Sequence, residues 1–144
     1  MRASGAALAA ALALASCAPP SAPPAHHWSI VVHGGAGVIE RAQLTPEMEA
    51  QYRAAMNHAL QTGADVLDHG GSSLDAVQAV ISGMEDDPLF NAGRGSCLTR
   101  AGTVEMDAAI MSVAGVRAGA VGAVTGVRNP IELARRVLDE GEHV

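Results

Sequence analysis

The sequence predicts an α/β domain in which the helices and the sheet form separate layers. Three observations predict this class: a short apolar run at residues 28–33, apolar residues at helical spacing in three later segments, and strand-like pieces separated by glycines after residue 96. The chain has 144 residues, of which 49% are hydrophobic, so it can bury one compact core. The expected order is one strand, two helices, several strands and a third helix.

Residues 1–17 are expected to be a lipoprotein-type signal peptide. Residues 6–15 contain only Ala and Leu, a run too short to span a bilayer but typical of a signal-peptide core. Residues 14–17 (LASC) resemble the lipobox of bacterial lipoproteins, in which the cysteine, here Cys17, receives a lipid. An ordinary secretory signal that is cut near Ala18 is the alternative.

The Pro-rich residues 18–27 predict an extended linker, so the folded domain is expected to occupy residues 28–144. Together with the signal peptide, this organisation predicts an exported protein of a bacterium. The protein would be periplasmic, or it would be anchored to a membrane through the lipid on Cys17.

The first strand and the first helix follow in order. Residues 28–33 (WSIVVH) contain no Gly or Pro and predict a buried strand that ends in a glycine-rich turn. Thr45 as N-cap and Pro46 in the first helical position predict the start of a helix, which should end by Gly70. Gly63 either interrupts this helix or is absorbed in it.

A second helix is expected to begin after Ser72, because Asp75 stands three residues later as in a capping box. Pro88 lies beyond its end. The residues expected to face the core are Leu74, Val77, Val80 and Ile81.

The last third predicts strands at residues 96–99, 104–111 and 116–124, followed by a third helix. Asn129 as N-cap and Pro130 at the first position indicate its start, and Gly141 is the expected C-cap. The expected buried stripe is Ile131, Ala134, Val137 and Leu138.

Charge and side-chain spacing argue against two classes of function. The formal net charge is −6 and the nine basic residues are scattered, which disfavours nucleic-acid binding. The two cysteines and six histidines lack the spacing of a structural zinc site.

Two segments carry candidate chemistry. The glycine turn after residue 33 (HGGAG) can present backbone N–H groups to an anion, as an oxyanion loop, a phosphate loop or simply a tight turn. The sequence contains neither a G-x-S-x-G elbow nor a completed phosphate-loop motif. The second segment, residues 84–95, places three acids at a helix C-terminus, where they oppose the helix dipole. A bound monovalent cation or a solvated helix end would explain this.

Several ordered motifs resemble the plant-type asparaginase family, also called the isoaspartyl peptidase/L-asparaginase family. They are residues 33–37 (HGGAG), 87–95 (DPLFNAGRG), 104–111 (VEMDAAIM), 119–124 (GAVGAV) and 127–135 (VRNPIELAR). The similarity covers nearly all of residues 28–144. It implies the αββα sandwich of the N-terminal-nucleophile hydrolases, of which this chain would hold only the first part.

The resemblance also implies a chemistry. Family members hydrolyse L-asparagine and β-aspartyl peptides after the precursor cleaves itself into α and β subunits, which form an (αβ)2 assembly. The cleavage frees an N-terminal threonine, whose hydroxyl attacks the side-chain amide carbonyl while its α-amine acts as base. No cofactor is required, although a structural sodium ion can bind.

Site residues carry over only for the α subunit. Asn91 matches an asparagine close to the nucleophile, and Gly34 and Gly35 match the glycine turn beside the catalytic centre. The backbone carbonyls that match a sodium-binding loop are those of Met84, Glu85, Asp87, Phe90, Ala92 and Arg94. At Arg94 a smaller or apolar residue is common in the family.

The resemblance places the nucleophile in the β subunit, so we expect no catalytic residue in this chain. Thr103 has part of the family's Gly-Thr-Val context, but Glu105 follows, and we interpret Thr103 as a strand residue. We therefore expect the chain alone to be inactive and to expose apolar surface that the missing β subunit would cover. A non-enzymatic, lipid-anchored remnant or binding module is the alternative.

Overall fold

The computed structural model describes residues 27–35, 40 and 42–141. The predicted signal peptide with Cys17, the predicted linker except His27, and two residues of the glycine turn lie outside the described residues. The α/β class is confirmed. The elements are α1 (Pro46–Asp68), α2 (Ser73–Asp86), a 3₁₀ turn (Gly93–Gly95), β1 (Met106–Ser112), β2 (Arg117–Val124) and α3 (Pro130–Glu140).

Helix α1 begins as predicted and absorbs Gly63. The Thr45 hydroxyl accepts a hydrogen bond from the Met48 N–H, and Pro46 occupies the first turn. Gly63 is buried, and a Cβ at this position would overlap Ile30 and lie 2.9 Å from Val80. A glycine here lets α1 lie close to α2 and to the segment that contains Ile30.

Helix α2 has the predicted capping box. The Ser72 hydroxyl accepts from the Asp75 N–H, and the Asp75 carboxylate accepts from the Ser72 N–H and hydroxyl. Val80 is buried in the core as expected. The prediction that Val77 faces the core is wrong, because its side chain is 42% exposed beside the 30–33 segment.

Strands β1 and β2 form an antiparallel hairpin close to the predicted positions. The predicted strand at residues 96–99 is wrong. Thr99 instead closes a tight turn, in which its N–H donates to the Thr103 carbonyl and its own carbonyl accepts from Gly102. These backbone groups are therefore not available to a sheet.

The predicted buried strand at residues 28–33 is also wrong. The segment forms no β-ladder, and both strands of the described sheet are in the hairpin. Ile30 and Val32 pack against the core beside α1 and α2, whereas Val31 is 93% exposed. The side chains of this segment alternate, so only one of its faces packs against the core. No other described segment forms backbone hydrogen bonds with it as a neighbouring strand would.

Two clusters of buried residues meet along α2. The first contains Ala59, Val80, Met84 and Phe90, and the second contains Ile110, Ile131, Ala134 and Leu138. Ile81 of α2 contacts both clusters. The C-terminal end of α2 therefore lies where the α1 side and the hairpin–α3 side of the molecule join.

Among the described residues, five large apolar side chains are more than half exposed: Val31, Leu98, Met111, Val113 and Val116. None of the helices that the structure describes combines the length and the apolar character needed to cross a membrane.

Candidate functional site at the end of α2

A cleft of about 250 Å³ opens where α2 ends, between the loop that follows it, the start of β1 and the N-terminus of α3. Its polar and charged lining includes Glu85, Asn91, Cys97, Glu105 and Asp107. A larger groove of about 510 Å³ lies beside α3, but it contains none of the predicted site residues. The smaller cleft is therefore the candidate site.

Asn91 is held in one orientation by the loop that contains it. Its Oδ1 accepts a hydrogen bond of 2.9 Å from the Cys97 N–H. The intervening 3₁₀ turn is tight, because the Gly95 N–H donates to the Ala92 carbonyl and Gly93 adopts a positive φ of 51°. With Oδ1 occupied, the Asn91 Nδ2 has no hydrogen-bond partner among the described residues, and its two N–H groups are available as donors.

Glu85 connects α2 to α3. Its Oε1 accepts a 3.0 Å hydrogen bond from the Ile131 N–H in the first turn of α3. The residue is only 3% exposed, and within the described part of the chain its Oε2 has no partner. Burial raises the pKa of the Glu85 carboxyl above its ordinary value of 4.5, against the lowering effect of the Ile131 N–H. Compared with water, burial thus disfavours the charged form of this carboxyl.

Asp86 and Asp87 also have partners. Arg128 donates to the Asp86 carboxylate from Nε at 3.0 Å and from Nη2 at 2.7 Å, and Arg94 lies 3.7 Å away. The Arg128 hydrogen bonds lower the pKa of Asp86 below its ordinary value of 3.8. Asp87 accepts from the Leu89 N–H at 2.9 Å. Each of the three acids therefore has a hydrogen-bond partner within the protein. Their charges alone do not call for a bound cation.

The backbone of the same segment leaves some carbonyl oxygens without backbone partners. Three of the six predicted sodium ligands already accept one backbone N–H each: Met84, Asp87 and Ala92. The other three carbonyls receive no backbone hydrogen bond from the described residues: Glu85, Phe90 and Arg94. Hard monovalent cations suit such oxygens. No group of three or more His, Cys, Asp or Glu side chains in the described part of the chain could hold a metal ion.

The glycine turn reaches this region through Phe90. A Cβ at Gly34 would lie 3.0 Å from the Met56 sulfur and 3.7 Å from the Phe90 ring. Gly35 has a φ of 104°, and its N–H donates to the His33 Nδ1 at 3.0 Å. Neither glycine lines the Asn91 cleft. The structure therefore does not bring the three predicted support residues together: Asn91 lines the cleft, and Gly34 lies near the Phe90 ring outside it.

Sequence reasoning missed the role of Asp107. This residue lines the cleft, and its Oδ1 accepts a 2.7 Å hydrogen bond from the Ala123 N–H of the neighbouring strand. An acid within an otherwise apolar strand was the available signal.

Thr103 is exposed at the end of the tight turn, where its hydroxyl bonds that of Thr99 at 2.8 Å. The prediction that Thr103 belongs to a strand is therefore wrong.

The profile of the asparaginase family matches residues 26–144. The chain belongs to this family. The family implies the N-terminal-nucleophile hydrolase fold, and the described helices and two-stranded sheet are a partial α/β arrangement consistent with it.

Relatives from three kinds of organism share this similarity. An isoaspartyl peptidase/L-asparaginase of Xenopus laevis is 46% identical over 115 residues, which are 80% of this chain and 36% of that protein. An isoaspartyl peptidase of Escherichia coli is 43% identical over 115 residues, again 80% and 36%. A plant-type L-asparaginase of Pyrococcus furiosus is 47% identical over 116 residues, 81% of this chain and 36% of that protein. The chain thus spans about a third of the length of these relatives.

Proposed function

We propose that this chain is the N-terminal part of an isoaspartyl peptidase/L-asparaginase that hydrolyses L-asparagine and β-aspartyl peptides. The family membership and the names of the relatives support the reaction class. The observation that carries the proposal is the fixed orientation of Asn91, which offers amide N–H donors beside a cleft of small-molecule size.

The proposed role of Asn91 follows from the charge that develops in amide hydrolysis. Attack on the side-chain amide carbonyl places negative charge on an oxygen, and a donor already oriented toward it lowers the barrier. The Cys97 N–H fixes the Asn91 amide, so its Nδ2 needs no reorganisation before it donates. Asn91 supports the reaction in this way but does not supply the nucleophile.

The proposed nucleophile is an N-terminal threonine that is freed by self-cleavage and lies outside this sequence. A free α-amine titrates near neutral pH and can serve as the base for its own hydroxyl. Thr103 is not proposed as this threonine, because Glu105 follows its Gly-Thr-Val context and its hydroxyl is hydrogen-bonded to that of Thr99. We accordingly propose that residues 1–144 alone are inactive, and that a β subunit completes the site within an (αβ)2 assembly.

A structural sodium ion is proposed for the carbonyls of the loop after α2. Its positive charge would hold together the oxygens that α2 and the turn leave without backbone partners. Gly93 and Gly95 allow this arrangement, because a Cβ at either residue would overlap the carbonyl of Glu85 or of Phe90. Replacing sodium by a larger organic cation should lower the melting temperature of the protein, and an unchanged melting temperature would argue against the site.

The proposed location is the periplasm or a membrane, with Cys17 lipidated and residues 18–27 as the tether. The LASC sequence and the Pro-rich run support this proposal. Mass spectrometry of the product from a bacterial host should find an acylated Cys17 at the N-terminus. A mature chain that begins at Ala18 or later and carries no acyl group would contradict lipidation.

The decisive experiment for the reaction measures ammonia release from L-asparagine and from β-aspartyl dipeptides. The protein expressed from its full reading frame should be active. In it, Asn91→Asp should lower kcat by about 100-fold, because the carboxylate still accepts from Cys97 but cannot donate. Asn57→Ala, at an exposed position of α1, is the control and should keep full activity. Absence of ammonia release by the unmutated protein would support the non-enzymatic binding module instead.

A further inference from the structure

The β hairpin carries an irregularity directly opposite Asp107. Residue pairs run from Ser112 with Arg117 up to Ala108 with Val121, but Met106 pairs with Val124. Asp107 therefore faces two residues of β2, Gly122 and Ala123, which is the pattern of a β-bulge. Bulges occur next to active sites, where they redirect the strand.

The bulge places a non-glycine residue in a strained backbone conformation. Ala123 has a φ of 51°, in the left-handed region that the Cβ of an L-residue disfavours. Such a conformation persists only where surrounding contacts enforce it. The bulge also removes one position from the regular hydrogen-bonding ladder, so the Ala123 N–H needs another acceptor.

Asp107 supplies that acceptor. The 2.7 Å bond from the Ala123 N–H to Oδ1 is as short as a charge-assisted hydrogen bond. A Cβ on the adjacent Gly122 would lie 3.4 Å from the same oxygen, so the carboxylate sits closely against the bulge. One side chain thus replaces the missing ladder bond and holds the strained residue in place.

The same side chain lines the cleft that contains Asn91 and Glu85. We propose that Asp107 is a positioning residue: its hydrogen bond to the bulge at Ala123 fixes residues 105–107 at the start of β1, which line the same cleft as Asn91. This inference rests on the proposed function, since the cleft is catalytic only if the protein hydrolyses amides. Asp107 acts through the bulge and needs no contact with substrate.

The test compares variants of the protein expressed from its full reading frame. Asp107→Ala should lower kcat by about tenfold and leave KM within about twofold, because the cleft wall shifts while substrate contacts remain. Asp107→Asn keeps an acceptor oxygen and should stay within about threefold of the unmutated kcat. Asp65→Ala, an exposed acid on α1 that accepts from Gln61, is the matched control and should be unaffected.

A second substitution separates positioning from general loss of stability. Ala123→Gly removes the penalty of the left-handed conformation, so adding it to Asp107→Ala should restore most of the lost kcat. A kcat of Asp107→Ala equal to that of the Asp65→Ala control would overturn the inference. An equal loss in Asp107→Asn and Asp107→Ala would also overturn it, since the carboxylate charge and not the bulge would then matter.

Amide hydrogen exchange at Ala123 keeps the inference testable whatever the activity. The amide should exchange slowly in the unmutated protein and in Asp107→Asn, and much faster in Asp107→Ala. If the unmutated protein releases no ammonia, the proposed function fails. If Asp107→Ala protects the Ala123 amide as well as the unmutated protein does, the inference itself fails.

Discussion

The N-terminus of α2 is closed by its own residues, whereas that of α3 is closed by a side chain from another helix. At α2, Ser72 and Asp75 exchange hydrogen bonds across three residues. At α3, the Ile131 N–H donates to Glu85, which is 46 positions earlier in the chain. The first closure depends on local spacing, and the second exists only after α2 and α3 have packed together.

The difference explains the arrangement of acids at the end of α2. An acid there opposes the dipole of its own helix, but the Glu85 carboxyl lies at the N-terminus of α3, where it accepts a hydrogen bond from the otherwise unpaired Ile131 N–H. The Asn129 side chain, which the sequence suggested as the N-cap of α3, makes no capping bond and instead donates to the Ser82 carbonyl of α2. The α3 terminus is therefore built by tertiary contacts with α2.

The largest expected effect comes from removing the long-range closure. Glu85→Ala should lower the free energy of unfolding by about 2 kcal/mol, because it leaves the buried Ile131 N–H without an acceptor. Ser72→Ala removes one local cap and should cost about 1 kcal/mol. Urea unfolding followed by circular dichroism measures both, with Ser73→Ala as the matched control. Equal costs for the two variants would mean that the buried contact is no more important than an exposed cap.

A smaller effect should appear as opposite pH dependences. Burial raises the pKa of Glu85 above 4.5, so its folded state binds the proton more tightly, and its contribution to stability falls as pH rises through 4.5 and the raised pKa. Hydrogen bonds from the Ser72 hydroxyl and N–H lower the pKa of Asp75 below 3.8, so its contribution is present above 3.8 and is lost as pH falls.

Urea midpoints measured across this pH range test the two signs. The stability of the Glu85→Gln variant relative to that of the unmutated protein should increase as pH rises above 4.5. The Asp75→Asn variant should be less stable than the unmutated protein above pH 3.8, and this difference in stability should become smaller as pH falls below 3.8. Curves for the two variants that run parallel to that of the unmutated protein would contradict both assignments.

The elements that the sequence predicted correctly are those with local signals. The capping box at Ser72, Thr45 before Pro46 and Asn129 before Pro130 locate the three described helices, and the glycine turns locate the two strands of the hairpin. Residues 28–33 failed as a strand because pairing needs a second backbone, which local pattern cannot supply. The prediction that Val77 faces the core failed because the exposure of Val77 depends on how closely residues 28–33 cover α2.

The residues of the candidate site also fall into two groups: those that sequence motifs indicated, and those whose contacts appear only in the folded structure. Family motifs pointed to Asn91 and to the carbonyl loop, and their roles remain proposals. The cross-helix bond of Glu85 and the bulge bond of Asp107 connect positions 46 and 16 residues apart. Their partners are backbone N–H groups, which leave no trace in residue identity. Only the folded arrangement shows which strand or helix end each acid reaches.

Self-cleavage tests the central claim most directly. We expect the protein expressed from its full reading frame to separate into two polypeptides, the second beginning with threonine, and residues 27–144 alone to keep their full mass. Intact-mass spectrometry with N-terminal sequencing measures both. A full-length product that stays in one piece under conditions of ammonia release, or self-cleavage within residues 27–144, would contradict the claim that this chain supports a nucleophile located beyond it.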